Sequence, residues 1–227
     1  MSARPYDLVI YGATGFTGAF IVEVLAKQDE KNEVKWAVAG RNEKRLSSML
    51  TNVSKKIGKN VRDVPVIIAD TKNAQSLASM ASQTKLIINA VGPYRLHGEA
   101  VVKAAVENGA SHVDISGEPA WLEKMQMKYA ELAKEKGVYV VGACGWDSIP
   151  CDLGVTFTER NFPGDLNHIE TFMQLQTGKM VPLMTQSYKY MGPVGKDKAN
   201  AEHSMTTVWA DMGLRLLTAA VIQTHLP

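Results

Sequence analysis

Three glycines follow the first apolar run of the chain at intervals of three residues. The run "DLVIY" ends at Tyr11, and Gly12, Gly15 and Gly18 come next, in "YGATGFTG". Where a strand turns into a helix over a phosphate, one glycine allows the tight turn, one lets the backbone approach the phosphate, and one lets the helix pack closely. A plain structural turn is the alternative, but it requires no such spacing. The segment predicts a dinucleotide-binding loop, which four further residues complete: Ala13, Thr14, Phe16 and Thr17.

Short apolar runs alternate with helical patterns along most of the chain. Six runs rich in valine and isoleucine have the length of strands: 7–12, 35–40, 64–70, 85–92, 111–117 and 138–143. Such runs are typical of strands that are buried on both faces of a parallel sheet. Helices are expected between them, at 16–28, 43–57, 73–83, 97–108 and 119–136. The alternation predicts an α/β fold with a Rossmann-type doubly wound parallel sheet.

The composition is that of a soluble globular protein and narrows the classes of function. Of the 227 residues 45% are hydrophobic and 21% are charged, and the net charge is +2 with no polybasic block, so we expect no nucleic-acid partner. The two cysteines, Cys144 and Cys151, are too few for a disulfide framework and lack the spacing of a metal site. The N-terminal residues leave no room for a signal peptide, and no apolar stretch is long enough to span a bilayer. These features predict a cytoplasmic protein without a bound metal.

The end of the second predicted strand bears on which dinucleotide is bound. The sequence there is "AGRNEKR", in which Arg41 stands where a carboxylate would bind the ribose 2′-hydroxyl of NAD. An arginine offers a planar fork to the 2′-phosphate of NADP, so NADP(H) is the predicted cofactor and NAD(H) the alternative. Lys44 and Arg45 are interpreted as a solvated first helical turn. Asp70, after the third strand, either contacts the adenine region or caps the next helix.

Polar residues also cluster after the later strands, in "VGPY", "SGEP" and "CGWDSIP". Because ligands of open α/β sheets bind at the carboxyl ends of the strands, these clusters are candidates for the nicotinamide and substrate side. His97 is either an acid–base group or a residue at the start of a helix. Trp146 is expected to line the substrate site. The catalytic residues are not identified, and the candidates are Tyr94, His97, Glu118 and Asp147.

Several long segments resemble the saccharopine dehydrogenase-like oxidoreductase family. They are "YGATGFTG", "AVAGR", "VGPYRLHGEAVVKAAVENGASHVDISGE" and "GWDSIPCDLG", and the similarity covers residues 7–175. The family is itself similar to mycobacterial trans-acting enoyl reductases. The resemblance implies hydride chemistry, a separate substrate domain and an association with lipid droplets or a membrane surface. By position it implies that the pyrophosphate lies at Gly12, Thr14, Gly15, Phe16, Thr17 and Gly18, the adenosine ribose at Arg41, and the nicotinamide side at Val91, Gly92 and Pro93.

The C-terminal part is short for a substrate domain. We expect a dinucleotide-binding domain over 1–154 and the remnant of a substrate or dimerisation domain over 155–227, with a strand in 168–178 and a helix over 206–223. An edge left uncovered by so short a domain would need a second chain, which predicts a homodimer. Two functions fit. One is an NADP(H)-dependent oxidoreductase that acts on a small carbonyl, imine or enoyl substrate, and the other is a truncated, non-catalytic paralogue that binds a nucleotide or a small apolar ligand.

Overall fold

The structure is a computed structural model, and it describes residues 4–29, 31, 33–146, 148–166, 168–172 and 219–221. The chain divides into two compact units, Met1–Cys144 and Gly145–Pro227. The domain boundary that the sequence predicts, between residues 154 and 155, lies further along the chain and stays a prediction.

The first unit alternates strands and helices along its whole length. The elements are β1 Tyr6–Tyr11, α1 Phe16–Gln28, β2 Trp36–Gly40, α2 Glu43–Ile57, β3 Val66–Ile68, α3 Ala74–Ser82, β4 Thr84–Asn89, α4 Tyr94–Glu107, β5 Ser111–Asp114, α5 Pro119–Lys136 and β6 Val140–Val141. The strands form one parallel sheet in the order β3-β2-β1-β4-β5-β6. The predicted fold class, a Rossmann-type doubly wound sheet, is confirmed.

Two layers of helices bury the two faces of this sheet. Successive strand residues point to opposite faces, so Ile10 and Val38 pack in one core with α1 and α2. Val9 and Tyr11 face the other way and pack with α3 and α4. The helix α5 continues this second layer through contacts with α4. Burial on both faces is the reason why the strands read as continuous apolar runs.

The helix ends follow local signals in the sequence, with one exception. The side-chain oxygen of Asn42 accepts a hydrogen bond of 3.0 Å from the N–H of Arg45 and caps α2. Gly109 and Gly137 follow α4 and α5 with φ of +68° and +63°, a conformation that suits glycine. The exception is α4, which begins at Tyr94 and not at the predicted residue 97, because a carboxylate from another loop binds its first N–H groups.

The described part of the second unit contains a helix and a two-stranded antiparallel sheet. The helix α6 spans Ile149–Asn161, and β7 Glu170–Phe172 pairs with β8 Ala219–Val221. The strand predicted within 168–178 is therefore found at β7. The helix predicted over 206–223 is wrong at β8, where pairing with β7 overrides the helical pattern, and residues 206–218 and 222–223 lie outside the described residues. Homodimerisation through residues 155–227 stays a prediction.

Candidate functional site

The strands β1 and β4 lie side by side, and the helices that follow them, α1 and α4, pack on opposite faces of the sheet. Tyr11 pairs with Asn89 at the ends of the two strands, and the N–H of Ala90 donates to the carbonyl of Tyr11 at 2.9 Å. A Cβ on Gly12 would lie 2.7 Å from Cγ2 of Val91. The predicted pyrophosphate loop and the predicted nicotinamide-side segment thus meet where the strand order reverses, which is where ligands of such sheets bind.

The glycines set the shape of the first loop. Gly12 has φ of +86°, and its carbonyl accepts a hydrogen bond of 2.9 Å from the N–H of Gly15. A Cβ on Gly18 would come 2.2 Å from the carbonyl oxygen of Gly12 and 2.8 Å from Cα of Ala13. The start of α1 therefore lies directly on the loop backbone, a contact that only glycine permits at position 18. A Cβ on Gly15 would meet only the Gly12 oxygen, at 3.2 Å, and Gly15 is exposed.

This loop presents backbone donors that other residues do not use. The N–H of Ala19 closes the first turn of α1 on the carbonyl of Gly15, and no side chain caps the helix. The helices α2 and α3 differ, because the side chains of Asn42 and Asn73 cap them. Four N–H groups of the loop and first turn donate to none of the described residues, and they belong to Thr14, Phe16, Thr17 and Gly18. Such donors at a helix N-terminus suit a pyrophosphate. The side chain of Ala13 is fully buried, so this residue offers only its backbone.

The predicted adenosine-side residues lie around the hydroxyl of Tyr11. The pKa of Tyr11 is raised to about 12, first by burial and then by the charge of Asp70, and the charge of Arg41 opposes this rise. Both charged residues therefore act at the same end of β1. Asp70 Oδ1 accepts from the N–H of Lys72 at 3.0 Å, whereas Asn73 caps α3. The interpretation of Asp70 as a helix cap is wrong because Asp70 lies three residues too early, and its role at the adenine stays a prediction.

Two of the four candidate catalytic residues hold the β4–α4 turn. The carboxylate of Glu118 accepts hydrogen bonds from the N–H groups of Tyr94 and Arg95, at 2.8 and 2.9 Å, and so caps α4. The hydroxyl of Tyr94 donates to the carbonyl of Asn89 at 2.9 Å, and burial raises the pKa of this hydroxyl. The side chain of His97 is half-buried in the first turn of α4 and forms no hydrogen bond with another described residue.

The remaining candidates of the nicotinamide and substrate side are Val91, Gly92, Pro93, Trp146 and Asp147. Trp146 is half-buried, and Asp147 lies outside the described residues. Gly92 and Pro93 are joined by a cis peptide bond directly before α4. All the catalytic candidates, and the cofactor contacts of Val91, Gly92 and Pro93, stay predictions.

A buried polar cluster near the carboxyl ends of β4 and β5 was not predicted from the sequence. Nδ2 of Asn89 lies 3.3 Å from Nε2 of His112, and Nδ1 of His112 lies 3.7 Å from Oδ2 of Asp114. Oδ1 of Asp114 accepts from the N–H groups of Ser116 and Ala143, at 2.8 and 3.3 Å. The side chains of His112 and Asp114 are 0% and 1% exposed. The available signal was a histidine and an aspartate two residues apart, and so on the same face, within the predicted strand 111–117.

Burial changes the acidity of both ionisable groups in this cluster. It lowers the pKa of His112 from 6.5 to about 4, and it raises the pKa of Asp114 from 3.8 to about 6. At neutral pH the cluster therefore holds a neutral imidazole beside a carboxylate.

Among the described residues, no group of three or more histidine, cysteine, aspartate or glutamate side chains could hold a metal ion.

The two shifts predict opposite effects of acid on stability. Between pH 6.5 and 4 the unfolded chain binds the His112 proton more readily than the folded protein, so this group destabilises the fold as the pH falls. Between pH 6 and 3.8 the folded protein binds the Asp114 proton more readily, so this group stabilises the fold as the pH falls. We expect the free energy of unfolding of His112→Gln, relative to wild type, to rise as the pH falls, by up to about 1.4 kcal/mol per pH unit. Asp114→Asn should show the reverse trend.

Urea unfolding at steps between pH 7 and 4 measures both differences. Each variant is the control for the other, because a purely structural loss shifts stability equally at every pH. If the free energies of unfolding of the variants differ from that of the wild type by the same amount at every pH, the shifted pKa values of His112 and Asp114 are contradicted.

Comparison with known proteins identifies the family. Residues 8–141, more than half of the chain, match the saccharopine dehydrogenase NADP binding domain. A lipid droplet localized protein of Caenorhabditis elegans is 64% identical over 173 residues, which are 76% of this chain and 41% of that protein. A saccharopine dehydrogenase-like oxidoreductase of Mus musculus is 48% identical over 181 residues, which are 77% of this chain and 42% of that protein.

The fold is also that of a solved saccharopine dehydrogenase. The L-Glu-forming enzyme from Saccharomyces cerevisiae matches with a TM-score of 0.53 at 16% identity, over 74% of this chain and 34% of that one. The chain spans about two fifths of the length of the curated relatives that it matches. Because the matching family domain is an NADP-binding one, the predicted cofactor, NADP(H), is confirmed. The chain therefore belongs to the saccharopine dehydrogenase-like oxidoreductase family.

Proposed function

We propose that this chain holds NADP(H) in the crevice between β1 and β4, and that it acts in hydride transfer to a small carbonyl, imine or enoyl substrate. One observation carries the proposal: four backbone N–H groups at the start of α1 donate to no described residue and lie beside the loop after β4. A pyrophosphate satisfies such donors and is favoured by the positive end of the helix.

The proposed contacts follow the edge of the sheet. The pyrophosphate lies over the glycine loop, with Gly15 leaving room for close approach. Arg41 and Asp70 lie on the adenosine side, and Val91, Gly92 and Pro93 on the nicotinamide side. The cofactor, when bound, supplies the hydride. His97, whose half-buried side chain forms no hydrogen bond with another described residue, is the candidate to supply the accompanying proton to the substrate.

A binding titration followed by nicotinamide fluorescence tests the cofactor site. We expect NADPH to bind the wild type, and Gly18→Ala to weaken the binding at least about tenfold, which is roughly 1.4 kcal/mol, because the new Cβ would overlap the Gly12 carbonyl and displace the loop. Gly154→Ala is the matched control, since a Cβ there meets nothing within 4 Å and Gly154 lies on α6, outside the proposed cofactor contacts. Absence of NADPH binding to the wild type, or equal binding by Gly18→Ala, would overturn the proposed site.

A substrate screen separates the two functions that the sequence leaves open. Oxidation of NADPH on addition of an enoyl, imine or carbonyl compound is the result expected of the oxidoreductase. Binding of NADPH without turnover of any of the three classes would instead support the non-catalytic paralogue.

We also propose that the protein associates with the surface of lipid droplets from the cytoplasm. The name of the Caenorhabditis elegans relative, a lipid droplet localized protein, supports this proposal, as does an apolar stripe on α6. Ile149, Leu153 and Phe157 are spaced four residues apart, which puts them on one helix face, and they are 42%, 59% and 69% exposed. An exposed apolar helix face can bind at a lipid interface. No helix in the described part of the chain is long and apolar enough to cross a membrane.

Flotation with phospholipid-coated triolein droplets tests this association. We expect the wild type to float and the double variant Leu153→Ser, Phe157→Ser to float several-fold less, because each side chain contributes about 1.5–3 kcal/mol when fully buried. Met127→Ser is the control, since Met127 is 89% exposed on α5 and lies outside the stripe. Equal flotation of the double variant and the wild type would contradict the role of α6.

A further inference from the structure

A groove of about 400 Å³ lies between α1 and α2 and reaches the glycine loop. Its apolar lining comes from both helices and includes Phe20 and Met49. Thr14 brings the glycine loop into the lining, and Arg45 brings in the first turn of α2. We call this space the α1–α2 groove. The α1–α2 groove therefore connects the proposed pyrophosphate site with Arg45, which the sequence analysis interprets as part of a solvated helix turn.

The acidic residue of the α1–α2 groove is already compensated. The side chain of Glu23 is 11% exposed, and its two oxygens lie 2.7 Å from Nζ of Lys27 and 2.7 Å from Nζ of Lys56. Lys56 also lies over the ring of Phe20, 4.8 Å from its centroid. Both lysines therefore have a carboxylate partner. Arg45 has none among the described residues.

Local structure fixes the position of Arg45 relative to the loop. Its N–H donates to the capping oxygen of Asn42 at 3.0 Å, which holds it in the first turn of α2. Thr14 lines the same groove, and neither its N–H nor its hydroxyl has a hydrogen-bond partner among the described residues. Thr14 and Arg45 thus both line the groove, and among the described residues the guanidinium of Arg45 and the hydroxyl and N–H of Thr14 have no partner, so an anion can use all three groups.

Arg41 stands in a different electrostatic setting. It follows β2 directly, and it acts on the Tyr11 hydroxyl together with Asp70, whose charge opposes its own. Neither arginine has an ion-pair partner among the described residues, but Arg41 shares the surroundings of the Tyr11 hydroxyl with Asp70, whereas the carboxylate of the α1–α2 groove is bound by two lysines. A phosphate dianion would therefore be repelled by Asp70 on the Arg41 side, whereas the carboxylate on the Arg45 side is compensated by its two lysines.

We propose that Arg45 and Thr14 form one wall of the site for the phosphate on the adenosine 2′-oxygen, with Arg41 on the opposite side. In this arrangement Arg45 determines the preference for NADP(H) over NAD(H), and Arg41 assists. The inference rests on the proposed function and names the specificity residue of the same site. Arg45 is exposed in the first turn of α2, as the sequence predicts, and the inference gives this solvated residue a role.

Binding constants of single variants test this inference. We expect Arg45→Gln to weaken binding of NADPH and of 2′,5′-ADP by about 10- to 100-fold, the size of a lost charge-assisted hydrogen bond, and to change NADH binding less than about twofold. Lys44→Gln is the matched control, because Lys44 carries the same charge in the same exposed turn but does not line the groove. Arg41→Gln should have a smaller effect on NADPH than Arg45→Gln.

The outcomes separate this inference from the proposed function. If the wild type binds NADPH but Arg45→Gln behaves like Lys44→Gln, or if the wild type binds NADPH and NADH equally, the inference is overturned and the dinucleotide site stands. If Arg41→Gln alone abolishes the preference, the phosphate lies on the other side of the loop and the inference is again overturned. Absence of binding of either dinucleotide to the wild type would overturn both proposals.

Discussion

The first helix begins in contact with the backbone of the loop that precedes it, and the cofactor site depends on this contact. A Cβ at position 18 would lie 2.2 Å from the carbonyl oxygen of Gly12, so α1 can approach only because Gly18 has no side chain. The approach closes a short turn in which Gly15 donates to Gly12, and the next N–H groups are left without a described acceptor. A longer path into the helix would move these donors away from the crevice.

The order of the strands gives this loop its chemical surroundings. Because β1 lies between β2 and β4, the loop has an arginine and an aspartate on one side and the turn before α4 on the other. The carboxylate of Glu118 holds that turn from the neighbouring loop. Beneath it lie His112 and Asp114, both buried, one neutral and one ionised at neutral pH. The adenosine side of the loop thus carries the charges of Arg41 and Asp70, whereas a buried polar cluster lies beneath the nicotinamide side.

The sequence predicts the features that depend on neighbours along the chain and misses those that depend on contacts across it. The alternation of strands and helices is predicted from local patterns and is confirmed, and the glycine turn before α1 and the cap at Asn42 are equally local features. The start of α4 and the role of Glu118 depend on a contact between residues 94 and 118, which no local pattern reveals. Arg45 is exposed, as the sequence predicts, but that it lines the α1–α2 groove together with Thr14 could not be predicted from the local pattern. The strand at Ala219–Val221 likewise forms only by pairing with distant residues.

Amide hydrogen exchange, measured residue by residue by NMR, tests the central claim most directly. In the free protein, the N–H groups of Thr14, Phe16, Thr17 and Gly18 should exchange rapidly, because they have no described acceptor. Saturating NADP⁺ should slow these four at least about tenfold, and should change Gly15 little, since its N–H is already bonded to Gly12. Unchanged exchange at all four positions, with NADP⁺ bound, would place the cofactor elsewhere and contradict the account.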